Sequence, residues 1–242
     1  MLGALTSFAR SLGFGSLNYD AMKKPALTKK RILIVDDHPM MREGLAQLIE
    51  HEPDLVTAGQ AESAAQAVQA IAVAQPDLLL LDISLPDKNG IEVIKDVHTL
   101  HPALSILVVS MHDESLYAER VLRAGARGYI MKQEGGKKLM LAIRQVLAGQ
   151  IYVSEKISAK ILETFSGHRP NSKSPVEKLS DREFEVFQLL GQGEGTRQIA
   201  QRLHLSIKTV EVHRANVRKK LELASGGELV HYAIRWNEAQ KP

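Results

Sequence analysis

Between Arg31 and about Gly149, short unbroken apolar runs alternate with longer stretches of mixed polarity. The runs Ile32-Leu33-Ile34-Val35, Leu78-Leu79-Leu80-Leu81, Ile106-Leu107-Val108-Val109 and Gly128-Tyr129-Ile130-Met131 anchor predicted strands at 31–36, 77–82, 104–110 and 127–131, and a fifth falls at 55–60. Helices are predicted near 39–51, 63–74, 89–100, 114–124 and 135–148. A run of apolar residues has no polar face, so such a strand is covered on both sides, as in a parallel sheet with helices on each face. Repeated strand–helix units in this order give an α/β domain built on a five-stranded, doubly wound parallel sheet. Ser63 and Gln66 stand at capping-box spacing ahead of the second helix, and Gly149 suits a helix C-terminus.

The pattern changes after Gly149. Residues 154–165 read as one more helix, and 166–175 hold two prolines and no apolar anchor, the composition of a linker. Four helices are predicted beyond it. The first begins after Ser180, with Glu183 at the capping-box position, and ends at Gly191 or Gly193. A short one covers 196–203, a third runs from Ser206 to about Leu221, and the last runs from Ser225, with Glu228 as its capping partner, to about Asn237. Ile199, Leu203, Leu205, Val210 and Val217 form the core of a helix-turn-helix. On a projection of 206–221, Ile207, Val210, Val217 and Leu221 share one face, while Lys208, Val212, Ala215 and Lys219 point away. Small side chains framed by Lys208, Arg214, Arg218, Lys219 and Lys220 allow close approach to a DNA major groove; the alternative is a solvated cationic helix. In the last helix Leu229, Ala233 and Trp236 form a stripe, which the domain's own core can absorb.

The chain therefore divides into an extension (1–29), an α/β domain (30–150), a helix with flexible linker (151–175) and a small all-α domain (176–242). The extension is expected to be disordered; a weak amphipathic helix through Leu2, Leu5, Phe8 and Leu12 is the alternative, and Met22 is a second possible start of translation. With 44% hydrophobic and 24% charged residues the composition is that of a soluble globular protein. Zero cysteines exclude disulfides, thiolate catalysis and cysteine-ligated metals, and fit a cytoplasmic location. No apolar run approaches the ~20 residues of a membrane span, so no membrane partner is expected. Residues 30–150 carry a net charge of −4 and the rest of the chain is mildly basic, which suits a cation in the first domain and permits nucleic acid at the second.

Four strand ends carry chemistry: Asp36-Asp37, Asp82, Ser110 and Lys132. The carboxyl ends of strands in an open parallel sheet face one crevice, where ligands bind. Carboxylates gathered there repel unless a cation neutralises them, and Mg2+ prefers such oxygen ligands. The segments Ile34-Val35-Asp36-Asp37-His38-Pro39 and Asp82-Ile83-Ser84-Leu85-Pro86-Asp87-Lys88-Asn89-Gly90, followed by Ser110 and by Tyr129-Ile130-Met131-Lys132, resemble the flavodoxin-like receiver domain of bacterial two-component response regulators. The resemblance implies that Asp82 accepts a phosphoryl group from a sensor histidine kinase. It also implies Mg2+ held by Asp37, Asp82 and the carbonyl of Ser84, with Asp36 acting through water. Lys132 and Ser110 would bind phosphoryl oxygens, and Ser110 with Tyr129 would form the switch, the ring turning inward. Gln133 replaces the proline many receivers carry, and a non-proline cis bond costs ~2.5–4 kcal/mol, so a cis bond is disfavoured there. Ser84 and His112 each follow a key residue by two positions; they either tune phosphoryl lifetime or are ordinary loop residues.

In the second domain, Leu179-Ser180-Asp181-Arg182-Glu183, Gln198-Ile199-Ala200, Thr209-Val210-Glu211-Val212-His213-Arg214 and Lys220-Leu221 resemble the LuxR-type helix-turn-helix. Together the two domains resemble the NarL/FixJ class of response regulators. That resemblance implies base contacts from Glu211, Val212 and Ala215 and phosphate contacts from Lys208, Thr209, Arg214, Lys219 and Lys220. Some relatives carry lysine where this chain has Glu211 and Ala215, so a different operator is expected. Gly195 stands where a Ser or Thr cap is usual, at a cost of a few tenths of a kcal/mol. The last helix, with Leu229, Val230, Ala233 and Trp236, would pair two DNA-bound subunits; Val230, Arg235 and the rim of Trp236 are its exposed candidates. The expectation is a phosphorylation-controlled, homodimeric regulator of promoter DNA whose receiver covers the recognition helix before phosphorylation. Two rivals stand beside it. A Mg2+-dependent phosphatase would need an acid/base where Ser84 sits, and a regulator gated by an inducer or by protein contact would not need Asp82.

Overall fold

The computed structural model describes residues 28–165 and 175–239; the expectations about the N-terminal extension, Met22 and the linker segment 166–174 lie outside the described residues. Strands β1 (Lys30–Val35), β2 (Leu55–Ala61), β3 (Leu78–Leu81), β4 (Ser105–Ser110) and β5 (Gly128–Met131) form one sheet in the order β2-β1-β3-β4-β5, parallel throughout. Between them run α1 (Pro39–Glu50), α2 (Ala64–Ala74), α3 (Gly90–Leu100), α4 (Glu114–Ala124) and α5 (Gly136–Leu147). The period of two along each strand decides which helices it meets. Ile32, Ile34, Leu78, Leu80, Leu107 and Val109 pack with Leu45, Ile49, Leu139 and Ile143 of α1 and α5. Their alternates Leu33, Val35, Leu79, Leu81, Ile106 and Val108 face Ala67, Ile71, Ile94 and Val121 of α2, α3 and α4. Both faces of the sheet are thus dry, as the unbroken apolar runs require.

Local signals set the element ends. Ser63 Oγ accepts from Gln66 N at 3.3 Å, and Ser180 forms a full capping box with Glu183, whose Oε2 accepts from Ser180 N at 2.8 Å. Asp87 reaches across to cap α2, accepting from Ala64 N (2.8 Å) and Ala65 N (2.9 Å). Burial opposes its ionisation, yet these bonds hold its carboxyl below the ordinary value. No peptide bond of the described residues is cis, Gln133 included.

After β5 the chain adds one unanticipated piece of sheet: Tyr152 pairs with the edge of β5, Tyr129 N donating to Tyr152 O at 2.9 Å. Then come α6 (Glu155–Phe165), a 3-10 turn at Pro175–Lys178, α7 (Asp181–Gly191), α8 (Thr196–Arg202), α9 (Ile207–Lys220) and α10 (Gly226–Ala239). Helices α8, α9 and α10 assemble around α7, burying Phe184, Phe187, Ile199, Val210, Val217 and Leu229. Ile207 departs from its expected inward face: it is half exposed, because the first turn of α9 runs past the core.

The two domains are docked, and the docking corrects one expectation. The receiver does not cover the recognition helix α9; it covers α7. Tyr117 of α4 donates to Gln188, Asn89 donates to Glu185, and Arg120 Nη1 reaches Leu179 O (3.0 Å) and Asp181 (3.1 Å). The Arg120 guanidinium also stacks 4.4 Å over the Phe184 ring, and Lys95 Nζ lies 2.7 Å from Asp181. Aromatic packing continues through Tyr117, Phe184 and Trp236, so the core of one sheet face runs unbroken into the helical domain.

Candidate functional site

Strand order reverses at β1 and β3, and the crevice outside their carboxyl ends is where a doubly wound sheet binds ligands. Asp36 and Asp37 leave β1 there, and Asp82 leaves β3, its N–H donating to Val35 O at 2.8 Å. Gly90 lets the loop after Asp82 close tightly: a Cβ at Gly90 would lie 2.5 Å from Ile83 Cα and 2.9 Å from Asp82 O. Lys132 comes in from the end of β5. Its Nζ lies 2.6 Å from Asp36 Oδ2 and 2.7 Å from Asp82 Oδ2, forming a carboxylate–ammonium–carboxylate bridge. Asp36 is 1% exposed and Asp82 4%. Burial, joined by the charge of Asp36, pushes the Asp82 carboxyl above its ordinary value against the pull of Lys132. Burial works against the ammonium too, yet the two carboxylates hold the Lys132 pKa above its ordinary value.

Asp36, Asp37, His38 and Asp82 present ligand atoms within 4.8 Å of one another, the spacing of a cation site. Asp37 Oδ1 is buried without a hydrogen-bond partner, although His38 Nδ1 approaches to 2.6 Å as an ion-pair contact. Such an oxygen is what a hard divalent ion requires. His38 is the member that sequence reasoning left without a role; its position beside the acidic pair was the available signal. Ser84 stands at the mouth, its N–H donating to Asp82 Oδ1 at 3.4 Å.

Ser110 is fully buried at the end of β4, its Oγ accepting from His112 N at 3.2 Å. The Tyr129 hydroxyl donates to His112 O at 2.7 Å, and its ring already lies inward. Burial raises its pKa. Ser84 Oγ lies 2.9 Å from His112 Nε2, so the two positions singled out by spacing meet in space. A cavity of about 530 Å³ opens above these groups, walled by Asp37, Asp82, Ser84 and Lys132 on one side and by Arg182, Glu185 and Arg202 of the helical domain on the other.

On α9, Lys208, Glu211, Val212, Ala215, Lys219 and Lys220 are exposed, Val212 by 52%. Lys220 Nζ nonetheless pairs with Glu183 Oε2 at 2.6 Å, Arg214 donates to Thr196, and Thr209 Oγ1 sits 2.8 Å from Ser206 Oγ. These three are part of the domain's own scaffold as well as candidates for phosphate. His213, between them, buries its Nδ1 without a partner, and burial lowers its pKa. Gly195 caps α8 only by its N–H, donated to Gln198 Oε1 at 2.8 Å. On α10 the pairing expectation needs correction: Leu229 and Ala233 are 1% and 0% exposed, consumed by the domain's own core. Val230 and Trp236 are half-buried, Trp236 wedged between Phe184 and Phe187, and Arg235 is exposed.

Residues 32–144 match the response regulator receiver domain family, and residues 177–233 match the luxR family of bacterial regulatory proteins. The chain is 34% identical over 210 residues to the oxygen regulatory protein NreC of Staphylococcus haemolyticus, covering 85% of this chain and 97% of that protein. NreC of Staphylococcus aureus (strain MRSA252) is 35% identical over the same span. Among solved structures, RcsB of Salmonella typhimurium aligns with a TM-score of 0.65 at 25% identity, covering 86% of this chain and 98% of that one. RcsB of Salmonella enterica bound to promoter DNA in the presence of the phosphomimetic BeF3− aligns with a TM-score of 0.61 at 25% identity, over 85% and 98%. Two family matches in this order, on a receiver sheet followed by a helix-turn-helix, make the chain a two-component response regulator of the NarL class with a LuxR-type DNA-binding domain, a transcription regulator rather than a turnover enzyme.

Proposed function

We propose that Asp82 is the phosphoacceptor and that its phosphorylation by a sensor histidine kinase controls binding of promoter DNA by a homodimer in the cytoplasm. The observation that carries this is the buried Asp36–Lys132–Asp82 bridge at the switch point of the sheet, beside an Asp37 oxygen that lacks a donor. A carboxylate oxygen of Asp82 attacks phosphorus, the bond from phosphorus to the donor's nitrogen or oxygen breaks, and the donor leaves with the electron pair. Lys132 and the Ser110 hydroxyl supply charge and a donor where the transferred oxygens gather negative charge. Mg2+ fits Asp37, Asp82 and the Ser84 carbonyl, with Asp36 in its outer sphere, and would neutralise the carboxylates so that an anionic donor can approach.

At the other end, Lys208, Glu211, Val212, Ala215 and Lys219 face outward on α9, the disposition a recognition helix needs. Thr209, Arg214 and Lys220 lie at its edges, where DNA phosphates would draw them from Ser206, Thr196 and Glu183. Pairing of subunits falls to Val230, Arg235 and the open edge of Trp236. Acetyl phosphate with Mg2+ is expected to add one phosphoryl group to the protein, read by intact mass, and Asp82→Asn is expected to take none. Equal labelling of Asp82→Asn would overturn the assignment. The inducer-gated reading survives only if Asp82→Asn also leaves DNA affinity unchanged under the same donor. The phosphatase reading requires steady release of phosphate, which Ser84 at the acid/base position does not support.

A further inference from the structure

One polar and aromatic chain leaves the acidic crevice and ends on the other domain. Its first member, Ser84, donates its N–H to Asp82 Oδ1 and holds His112 Nε2 through its hydroxyl at 2.9 Å. The backbone of His112 is fixed by the two residues beside the acceptor: its N–H donates to Ser110 Oγ (3.2 Å) and its carbonyl accepts from Tyr129 OH (2.7 Å). The imidazole packs on Tyr117 with ring centroids 4.7 Å apart. Tyr117 is buried, donates its hydroxyl to Gln188 of α7, and meets the Phe184 ring edge-on at 5.5 Å. A loop residue with no role beyond filling space does not need directed contacts from both its ring and its backbone to four separate residues.

We propose that His112 is the positioning residue that passes phosphorylation of Asp82 to the seating of α7 on the receiver. The inference rests on the reading of Asp82 as acceptor and adds the path by which the helical domain responds. A phosphoryl group brings strong acceptor oxygens into the crevice. Besides Lys132, the Ser110 hydroxyl and the Ser84 N–H and hydroxyl are the donors offered to it, and both serines hold His112 now. As they turn to the phosphoryl oxygens, the N–H and Nε2 contacts of His112 are released and its ring shifts against Tyr117. Packed interfaces respond to such small shifts by changing between discrete arrangements. The Tyr117–Gln188 bond and the Phe184 contact are then lost together, and α7 leaves the receiver.

The absence of native cysteines makes the test clean. Dyes are placed on the full chain through Val73→Cys on α2 and Ala224→Cys before α10, both exposed, and energy transfer is read with and without acetyl phosphate and Mg2+. The parent pair is expected to lose transfer on phosphorylation. His112→Phe keeps a ring against Tyr117 but cannot bond Ser84; Tyr117→Phe keeps its ring but cannot bond Gln188. Both are expected to accept the phosphoryl group by intact mass while the change in transfer falls at least about fivefold, the low end of ordinary coupling between sites. Phosphorylated His112→Phe with the full parental response overturns the inference. The same result in Tyr117→Phe decides it should His112→Phe not fold. A parent that is phosphorylated without any change in transfer also overturns it, leaving Asp82 as acceptor intact. A parent that takes no phosphoryl group overturns the acceptor assignment itself.

Discussion

At the scale of single residues, Lys132 decides how the acidic crevice exists at all. It places one ammonium between two carboxylates that water scarcely reaches. Burying a pair of like charges without a counter-ion is far more costly than burying a satisfied bridge, and breaking such a bridge by removing one partner costs about 3–5 kcal/mol. Lys132→Ala is therefore expected to lower unfolding free energy by about that amount in metal-free buffer, measured by urea titration. Mg2+ should recover more stability in Lys132→Ala than in the parent, because the ion then neutralises the charge the lysine had neutralised. Equal recovery in both proteins would place the ion elsewhere. The crevice was legible because each of its groups stands directly after an apolar run, and period-two strands in a parallel sheet must deliver their ends to one edge. The His38 contacts were less legible, since an exposed imidazole beside two aspartates carries no pattern of its own.

At the scale of elements, α9 shows what helical periodicity settles and what it leaves open. Val210, Val217 and Leu221 are buried as their spacing demands, and the outward cations follow. Lys219→Ala should weaken binding to every duplex and reduce the slope of log affinity against log salt by about one unit, measured by titration at several salt concentrations. An unchanged slope would mean this face of α9 does not meet phosphates. The stripe of Leu229, Ala233 and Trp236 marked a buried face correctly, but a stripe does not say which body buries it. Here α7 does, so the surface left for a second subunit is smaller than the spacing implied. Ile207 failed for a related reason: a projection assumes that the core extends along the whole helix, and here it ends before the first turn.

At the scale of the whole molecule, the contacts that hold the domains together join residues 71 and 96 positions apart, Tyr117 to Gln188 and Asn89 to Glu185. No local pattern announces them, so the helical periodicity of the second domain does not tell which of its helices the receiver covers. Because α7 rather than α9 is covered, docking leaves the outward face of α9 open. The 530 Å³ cavity has a further consequence. A molecule the size of acetyl phosphate can enter such a space, whereas a histidine carried on a helix brings a body about 10–12 Å across. With Asp82 as the proposed acceptor, small donors would reach it through a closed door, while a protein donor would have to wait for it to swing. Arg120→Ala, which removes the guanidinium's contacts with Asp181 and the Phe184 ring, should speed transfer from a phosphorylated kinase and leave the acetyl phosphate rate unchanged in rapid-quench assays. Parallel changes in both rates would show that bulk at the entrance is not what the helical domain controls.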